Sequence, residues 1–192
     1  QILKKENQSQ MINKKFSLDT KRQIKRLSLL GKITFKIAET NNEKKEIIDF
    51  FFKHKEKQLI RTNNWNFLKN QTYKLFLKKL FTQKYSHNSF LLLNDEIIAV
   101  HLGFKDLKKM FYIFPTFTHK YYNYSPGNIL LLKLVNSFFE EDGEVFDMTI
   151  GNEFYKKKLS NNSIDIYYKD IFLSFKGKLI SPYLVLKNYL KK

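Results

Sequence analysis

Apolar positions recur along the chain at two periods, and the switch between them marks out its elements. Leu18 to Leu30 reads as a short basic helix, with Ile24, Leu27 and Leu30 on one side, Lys21, Arg22, Lys25 and Arg26 on the other, and Gly31 as its stop. Ile33, Phe35 and Ile37 alternate with polar neighbours, the period of a half-buried strand. Ile47, Ile48, Phe51 and Phe52 return at helical spacing on a segment that Asn42 can cap. The same spacing predicts a helix from about Gln71 to Phe81, with Tyr73, Phe76, Leu77 and Leu80 on its buried side. Between these two helices, an Asn-rich loop from Arg61 to Asn70 holds Trp65, the only Trp.

The middle of the chain changes period. Ser89 to Leu93 and Ile97 to Phe104 are apolar runs joined by Asn94-Asp95, residues that tolerate the positive φ of a tight hairpin. Met110 to Thr118 is a third strand, which must bulge, end or lie at an edge at Pro115, because proline cannot donate to a ladder. Ser125-Pro126-Gly127-Asn128 then opens a helix carrying Leu130, Leu131, Leu134, Val135 and Phe138, with Ser as N-cap, Pro in the first turn and Gly143 as the close. Val145 to Ile150 reads as a short strand, Asn152 to Leu159 as a short helix, Ile164 to Phe175 as a strand or strand pair, and Ser181 to Lys192 as a last amphipathic helix. The order predicts a mixed α/β fold without internal repeats: a polar flexible arm over 1–14, a single domain over 15–180 and a tail helix over 181–192.

Composition narrows the possible functions. At 192 residues, 43% hydrophobic and 16% aromatic, the chain can build its own core and is too apolar for disorder. It has no Cys, which removes thiol chemistry and disulfides. The 35 Lys and Arg against 18 Asp and Glu give a net charge of +17, the footprint of a nucleic-acid or acidic-membrane binder. Only Arg22, Arg26 and Arg61 are Arg, however, and Ala is confined to Ala38 and Ala99. That bias is what an AT-rich genome produces without selection for a partner, and Arg is the residue phosphate recognition favours. Nucleic-acid binding is therefore expected to be weak and non-specific. No apolar run approaches the roughly 20 residues of a membrane span. The opening at Gln1 shows no signal-peptide pattern, so a cytoplasmic location is expected, and the chain reads as an excerpt of a longer protein.

Most catalytic motifs are missing. His54, His87, His101 and His119 are dispersed, without metal-ligand spacing, so no metal is expected. There is no Gly-x-Ser-x-Gly elbow, Walker loop or Gly-x-Gly-x-x-Gly. What remains is Ser125 to Ile129, where a helix start aims free N–H groups at one spot and Gly127 permits close approach of an anion; an ordinary helix start reads the same way. The second cluster runs from Asp147 to Lys158. Its Tyr155 can protonate a leaving thiolate and its Lys156 can meet phosphates, or the ring packs at the core edge beside solvated lysines.

Together these features resemble the acyl-CoA-dependent N-acyltransferases of the GNAT superfamily, and within it the cellulose-biosynthesis-associated (CelD-like) subgroup. The resemblance rests on the basic helix before Gly31, on Ser125-Pro126-Gly127 leading into an apolar helix, and on Phe146-Asp147 followed by Gly151-x-Glu153-x-Tyr155-Lys156. It implies a three-layer fold whose mostly antiparallel sheet splays between the strands ending near Thr118 and Ile150, with helices on both faces. It also implies acetyl-CoA or another acyl-CoA as co-substrate. Its pyrophosphate would lie on Ser125, Gly127, Asn128 and Ile129, with Asn152 and Lys156 as further contacts and Tyr155 as general acid. The family's usual Gln/Arg-x-x-Gly-x-Gly/Ala loop is reduced to Gly127. His101 and Asp147 are candidates for the acceptor-side base, though the structural reading is favoured for each: a buried His usually satisfies a carbonyl, and Asp147 can anchor the cleft. The acceptor would be an amine, or a hydroxyl, of a small molecule, glycan or peptide. The resemblance leaves two alternatives: a Fem-like aminoacyl-tRNA-dependent peptidyltransferase, which would use the +17 charge to hold RNA, and a non-catalytic half-domain. Pairing with a second, N-terminal GNAT-like half is a further expectation, as subgroup members commonly carry one.

Overall fold

The computed structural model of the chain describes residues 1–5, 12–151, 153–167, 171, 173, 174, 176, 179, 180, 182 and 183. Its strands are β1 (Ile2–Lys4), β2 (Ile33–Ile37), β3 (Ser86–Leu93), β4 (Glu96–Lys105), β5 (Lys109–Phe117) and β6 (Val145–Asp147). They form one sheet in the order β1-β6-β5-β4-β3-β2, antiparallel throughout except between β5 and β6. Helices α2 (Asn41–Arg61) and α3 (Gln71–Phe81) cover one face, where Ile47, Ile48, Phe51, Leu77 and Phe81 pack on Phe90, Val100 and Leu102. Helices α1 (Lys14–Leu27) and α4 (Pro126–Glu140) cover the other, where Leu131, Leu134, Val135 and Phe138 pack on Met110, Tyr112 and Phe146. A short α5 (Phe154–Leu159) follows β6. The expected mixed α/β fold, with helices on both faces of a mostly antiparallel sheet, is the fold observed.

Several elements differ from their sequence reading. Ile2–Lys4, placed in the flexible arm, instead pair with Val145–Asp147 as the edge strand beyond β6, because two buried apolar residues, Ile2 and Leu3, complete the core there. α1 begins at Lys14 rather than Leu18, since Asn13 Oδ1 accepts from the N–H groups of Lys15 and Phe16. α2 is capped by Thr40, not Asn42, in a reciprocal capping box with Glu43. In α3, Leu77 and Phe81 are buried while Tyr73 and Phe76 lie at the surface, so the buried stripe is turned from the expected one toward Phe104 and Phe114. α4 closes in a Schellman motif, with Asp142 rather than Gly143 at positive φ and Gly143 N–H donating to Phe138 O. Between 164 and 175, no described residue belongs to a strand. The expected tail helix, like Asn152, falls outside the described residues, apart from 182 and 183.

One register sets up everything that follows. β5 pairs with β6 only through Lys109–Phe111 opposite Val145–Asp147. β6 then stops, shorter than the strand expected to reach Ile150, while β5 runs on to Phe117. Asp147 ends the ladder: its Oδ1 accepts from Thr149 N–H at 2.8 Å, its Oδ2 pairs with Lys109 Nζ at 3.1 Å, and Thr149 turns away at φ 60. The Thr149 hydroxyl makes a last bridge to Tyr112 O at 3.3 Å. Past it, the two strands diverge. Pro115 lies opposite His101 of β4 but past the last β6 pair, so among the described residues β5 has no strand on its other side there, which is how the sheet tolerates a residue without an N–H.

Candidate active site

The gap between β5 and β6 opens into a cavity of about 520 Å³. Ile113 to Pro115 and Phe117 of β5 form one wall, Thr149, Ile150 and α5 the opposite wall, the start of α4 one mouth and the C-terminal half of α2 the other. The lining of the cleft therefore draws on both helical layers.

At the α4 mouth, the Ser125-Pro126 start is set by backbone rather than by a side chain. Ser125 takes a left-handed conformation (φ 49, ψ 53), and its hydroxyl makes no capping bond, contrary to the expected N-cap. The N–H groups of Asn128 and Ile129 both reach Ser125 O, at 3.0 and 3.2 Å, and the Ile129 side chain is buried in the core. Pro126 has no N–H. Gly127 thus supplies the one N–H of this turn without a hydrogen-bond partner among the described residues, at the positive end of a 15-residue helix. A Cβ at Gly127 would sit 3.2 Å from the Phe117 ring, so the position is tight as well as polar. Gly127 and Asn128 line the cleft, and Ser125 and Asn128 also line a neighbouring cavity of about 420 Å³ that contains Arg22, Arg26 and Lys158.

Tyr155 lies between these two cavities and lines both. It is half-buried against the core, and its hydroxyl has no hydrogen-bond partner among the described residues. Burial, aided by the nearby Glu153 carboxylate, pushes the phenol well above its ordinary pKa. The hydroxyl therefore keeps its proton across the physiological range, on a side chain that lines the cleft. Lys156 is buried and folded back: its ammonium donates to Ile150 O at 2.7 Å and pairs with Glu153 at 3.0 Å. It braces the turn at Gly151, whose positive φ and lack of a Cβ leave room for the Glu153 carboxylate and Lys156 Nζ.

His101 is fully buried on β4, stacked on Tyr112 at 4.5 Å, with Ser89 Oγ 3.5 Å from its Nδ1, and it does not line the cleft. Burial keeps it neutral, with His87 adding to the effect. Asp147 likewise stands outside the cavity, as the latch where the strands part. The structure thus brings together Gly127, Asn128, Tyr155 and Lys156, and leaves His101 and Asp147 behind the walls. Among the described residues no group of three or more His, Asp or Glu could hold a metal ion.

At the α2 mouth stands a residue that the sequence reading passed over. Lys55 Nζ donates to Pro115 O at 3.1 Å and to Gln58 Oε1 at 3.3 Å, and Gln58 Oε1 also accepts from the Thr116 hydroxyl. Burial, reinforced by Lys156 and opposed by Glu153, lowers Lys55 to about 8. Its helical context reads as a solvated basic face, and only the approach of β5 reveals its surroundings.

The chain matches the family described as Acetyltransferase (GNAT) domain over residues 14–157. Among solved structures, it resembles a possible acetyltransferase from Clostridium difficile 630, at 11% identity and TM-score 0.56, covering 72% of this chain and 97% of that one. It also resembles a predicted acetyltransferase from Clostridium acetobutylicum solved with acetyl-CoA, at 15% identity and TM-score 0.53, covering 74% and 97%. A third is the aminoglycoside acetyltransferase meta-AAC0020 from an uncultured soil metagenomic sample, in complex with sisomicin, at 12% identity and TM-score 0.51, covering 74% and 97%. At these identities the likeness is one of fold. No curated protein matches the chain.

Proposed function

The chain belongs to the GNAT acetyltransferase domain family, and from that footing we propose that it moves an acetyl or longer acyl group from an acyl-CoA directly to an amine. The observation that carries this reading is the cleft between β5 and β6, whose lining holds both Gly127, with an N–H that has no partner among the described residues, and Tyr155. An acyl-CoA supplies an activated thioester carbonyl; the chain holds it, orients the acceptor and manages two protons. The Gly127 N–H and the α4 dipole receive a phosphate oxygen. Past the Thr149 bridge to Tyr112, the edge of β5 has no partner strand beyond β6 among the described residues and runs where the pantetheine amides would lie. Tyr155 donates its proton to sulfur as the carbon–sulfur bond breaks and the amine nitrogen bonds to the carbonyl carbon.

On the far side, Lys55 serves as the proton acceptor. Because burial holds it near 8, part of it is neutral close to physiological pH and can take the proton that the acceptor nitrogen sheds. A thermal-shift screen across acyl-CoA chain lengths tests the reading: a binder present at 100 times its Kd stabilises the fold by about 2.7 kcal/mol, several degrees for a domain of this size. No shift with any acyl-CoA overturns it. The reduction of the usual loop to Gly127 and the +17 charge favour one other reading, aminoacyl transfer from tRNA in the manner of the Fem enzymes. The mass of a ligand that co-purifies with the protein, CoA or RNA, separates the two.

A further inference from the structure

Trp65 is 84% exposed, a large indole held in water where it adds nothing to the core. Its loop is nonetheless fixed at both ends. α2 closes in a Schellman motif, with Asn63 at φ 52 and Asn64 N–H donating to Leu59 O at 2.9 Å. On the other side, Asn66 and Asn70 accept from the N–H groups of Leu68 and Tyr73, each at 3.1 Å. Phe67 backs the indole at 6.2 Å and is itself held edge-on by Tyr73. The exposure of Trp65 is therefore built into the loop.

The indole borders a second cavity of about 520 Å³, lined by Ile60, Asn63, Asn64, Trp65, Asn66, Phe67, Lys69 and Asn70. Asn64 and Phe67 also line the cleft, so the two cavities adjoin at its α2 side. Caps consume only part of the amide capacity here. Asn64 Nδ2 is taken by the Thr62 hydroxyl at 2.8 Å and Asn66 Nδ2 by Glu56. The Asn63 carboxamide, Asn64 Oδ1 and Asn70 Nδ2 have no partner among the described residues. An aromatic plate edged by groups that both donate and accept fits a ring with an apolar C–H face and a rim of hydroxyls. Charge narrows the class further. The lining holds one cation, Lys69, and no carboxylate, so it matches neither a polycation nor the continuous phosphate track of a nucleic acid.

We propose that this cavity is a saccharide subsite, in which one sugar ring stacks on Trp65 while the neighbouring ring, carrying the acceptor amine, enters the cleft. The inference rests on the acyl-transfer reading for the role of that amine, but the binding itself is testable without CoA. Because Trp65 is the only Trp, intrinsic indole emission reports on this site alone. The probes are the N-acetylglucosamine tetramer, cellotetraose and a uridine octanucleotide, titrated into the full chain. The expected result is a saturable change in emission with at least one tetrasaccharide. Calorimetry on Trp65→Ala, whose fold is checked by melting, is expected to show affinity for that sugar reduced at least tenfold. The proposal is overturned by emission that no saccharide changes, by a response to the octanucleotide alone, or by undiminished sugar affinity in Trp65→Ala. Sugar binding without any acyl-CoA thermal shift would uphold the subsite and sink the transfer reading; the reverse pattern would do the opposite.

Discussion

Tyr155 and Lys55 face the same cleft with opposite assignments, and each makes a separable prediction. Tyr155→Phe removes a hydroxyl that has no hydrogen-bond partner among the described residues, so the fold should hold, turnover should fall by about 10²-fold or more and KM for acyl-CoA should change little. Unaltered turnover in steady-state assays would leave Tyr155 a packing residue. For Lys55 the sign follows from linkage. Its folded pKa is about 8 against 10.5 without the fold, so between those values the unfolded chain binds the extra proton and stability rises with pH. Paired melts of the wild type and Lys55→Met should therefore move in the wild type's favour from about pH 7 to about pH 10, and a constant difference would show that Lys55 titrates normally. Tyr155 and Gly127 could be read from the sequence because each sits inside one short motif. Lys55 could not, since the carbonyl it meets belongs to Pro115, 60 residues away. The phosphate role expected of Lys156 failed to anticipate that its ammonium folds back onto Ile150 O and Glu153.

Among the elements, β6 decides the site by ending early. Asp147 stops it with two bonds of unequal weight, and two substitutions separate them. Asp147→Asn keeps an acceptor for Thr149 N–H and loses only a partly exposed ion pair with Lys109, a cost of about 0–1 kcal/mol. Asp147→Ala also leaves the Thr149 N–H without its partner, for a total of about 1–3 kcal/mol by denaturant unfolding. Turnover that survives in Asp147→Asn would fix the residue as a latch; its collapse would restore Asp147 as a base. Long periodic elements were legible: the helix from Gln71 to Phe81 has the predicted bounds, and the Asn94-Asp95 hairpin joins β3 and β4 with Asn94 at φ 54. Short ones were not. β1 has three residues and is defined by a partner at the other end of the sequence, beyond the reach of a periodicity argument. The start of α1 depended on Asn13, a cap inside a stretch that reads as uniformly polar.

For the molecule as a whole, the +17 charge and the cleft make different claims about what binds. If the charge is compositional, RNA should be held weakly and lost steeply with salt, because phosphate contacts are exchanged for counterions. Filter binding of tRNA at low and high ionic strength should show that loss; tight binding that persists would favour the aminoacyl reading. The sheet order and the parallel β5–β6 pair, which create the gap, follow from contacts among distant segments and lay outside what residue spacing could supply; only the splay between those two strands entered the sequence reading, through family resemblance. The central claim is that an acyl-CoA seats in that gap with a phosphate on the Gly127 N–H, and calorimetric titration of acetyl-CoA into the wild type and Gly127→Val addresses it most directly. Valine suits the helical backbone at 127, where its propensity differs from glycine's by under about 1 kcal/mol, but its branches would fill the approach beside Phe117. The account predicts saturable binding to the wild type and its loss in Gly127→Val, with melting temperatures within a few degrees of each other. Equal acetyl-CoA affinity in the two proteins, or no binding to either, would contradict it.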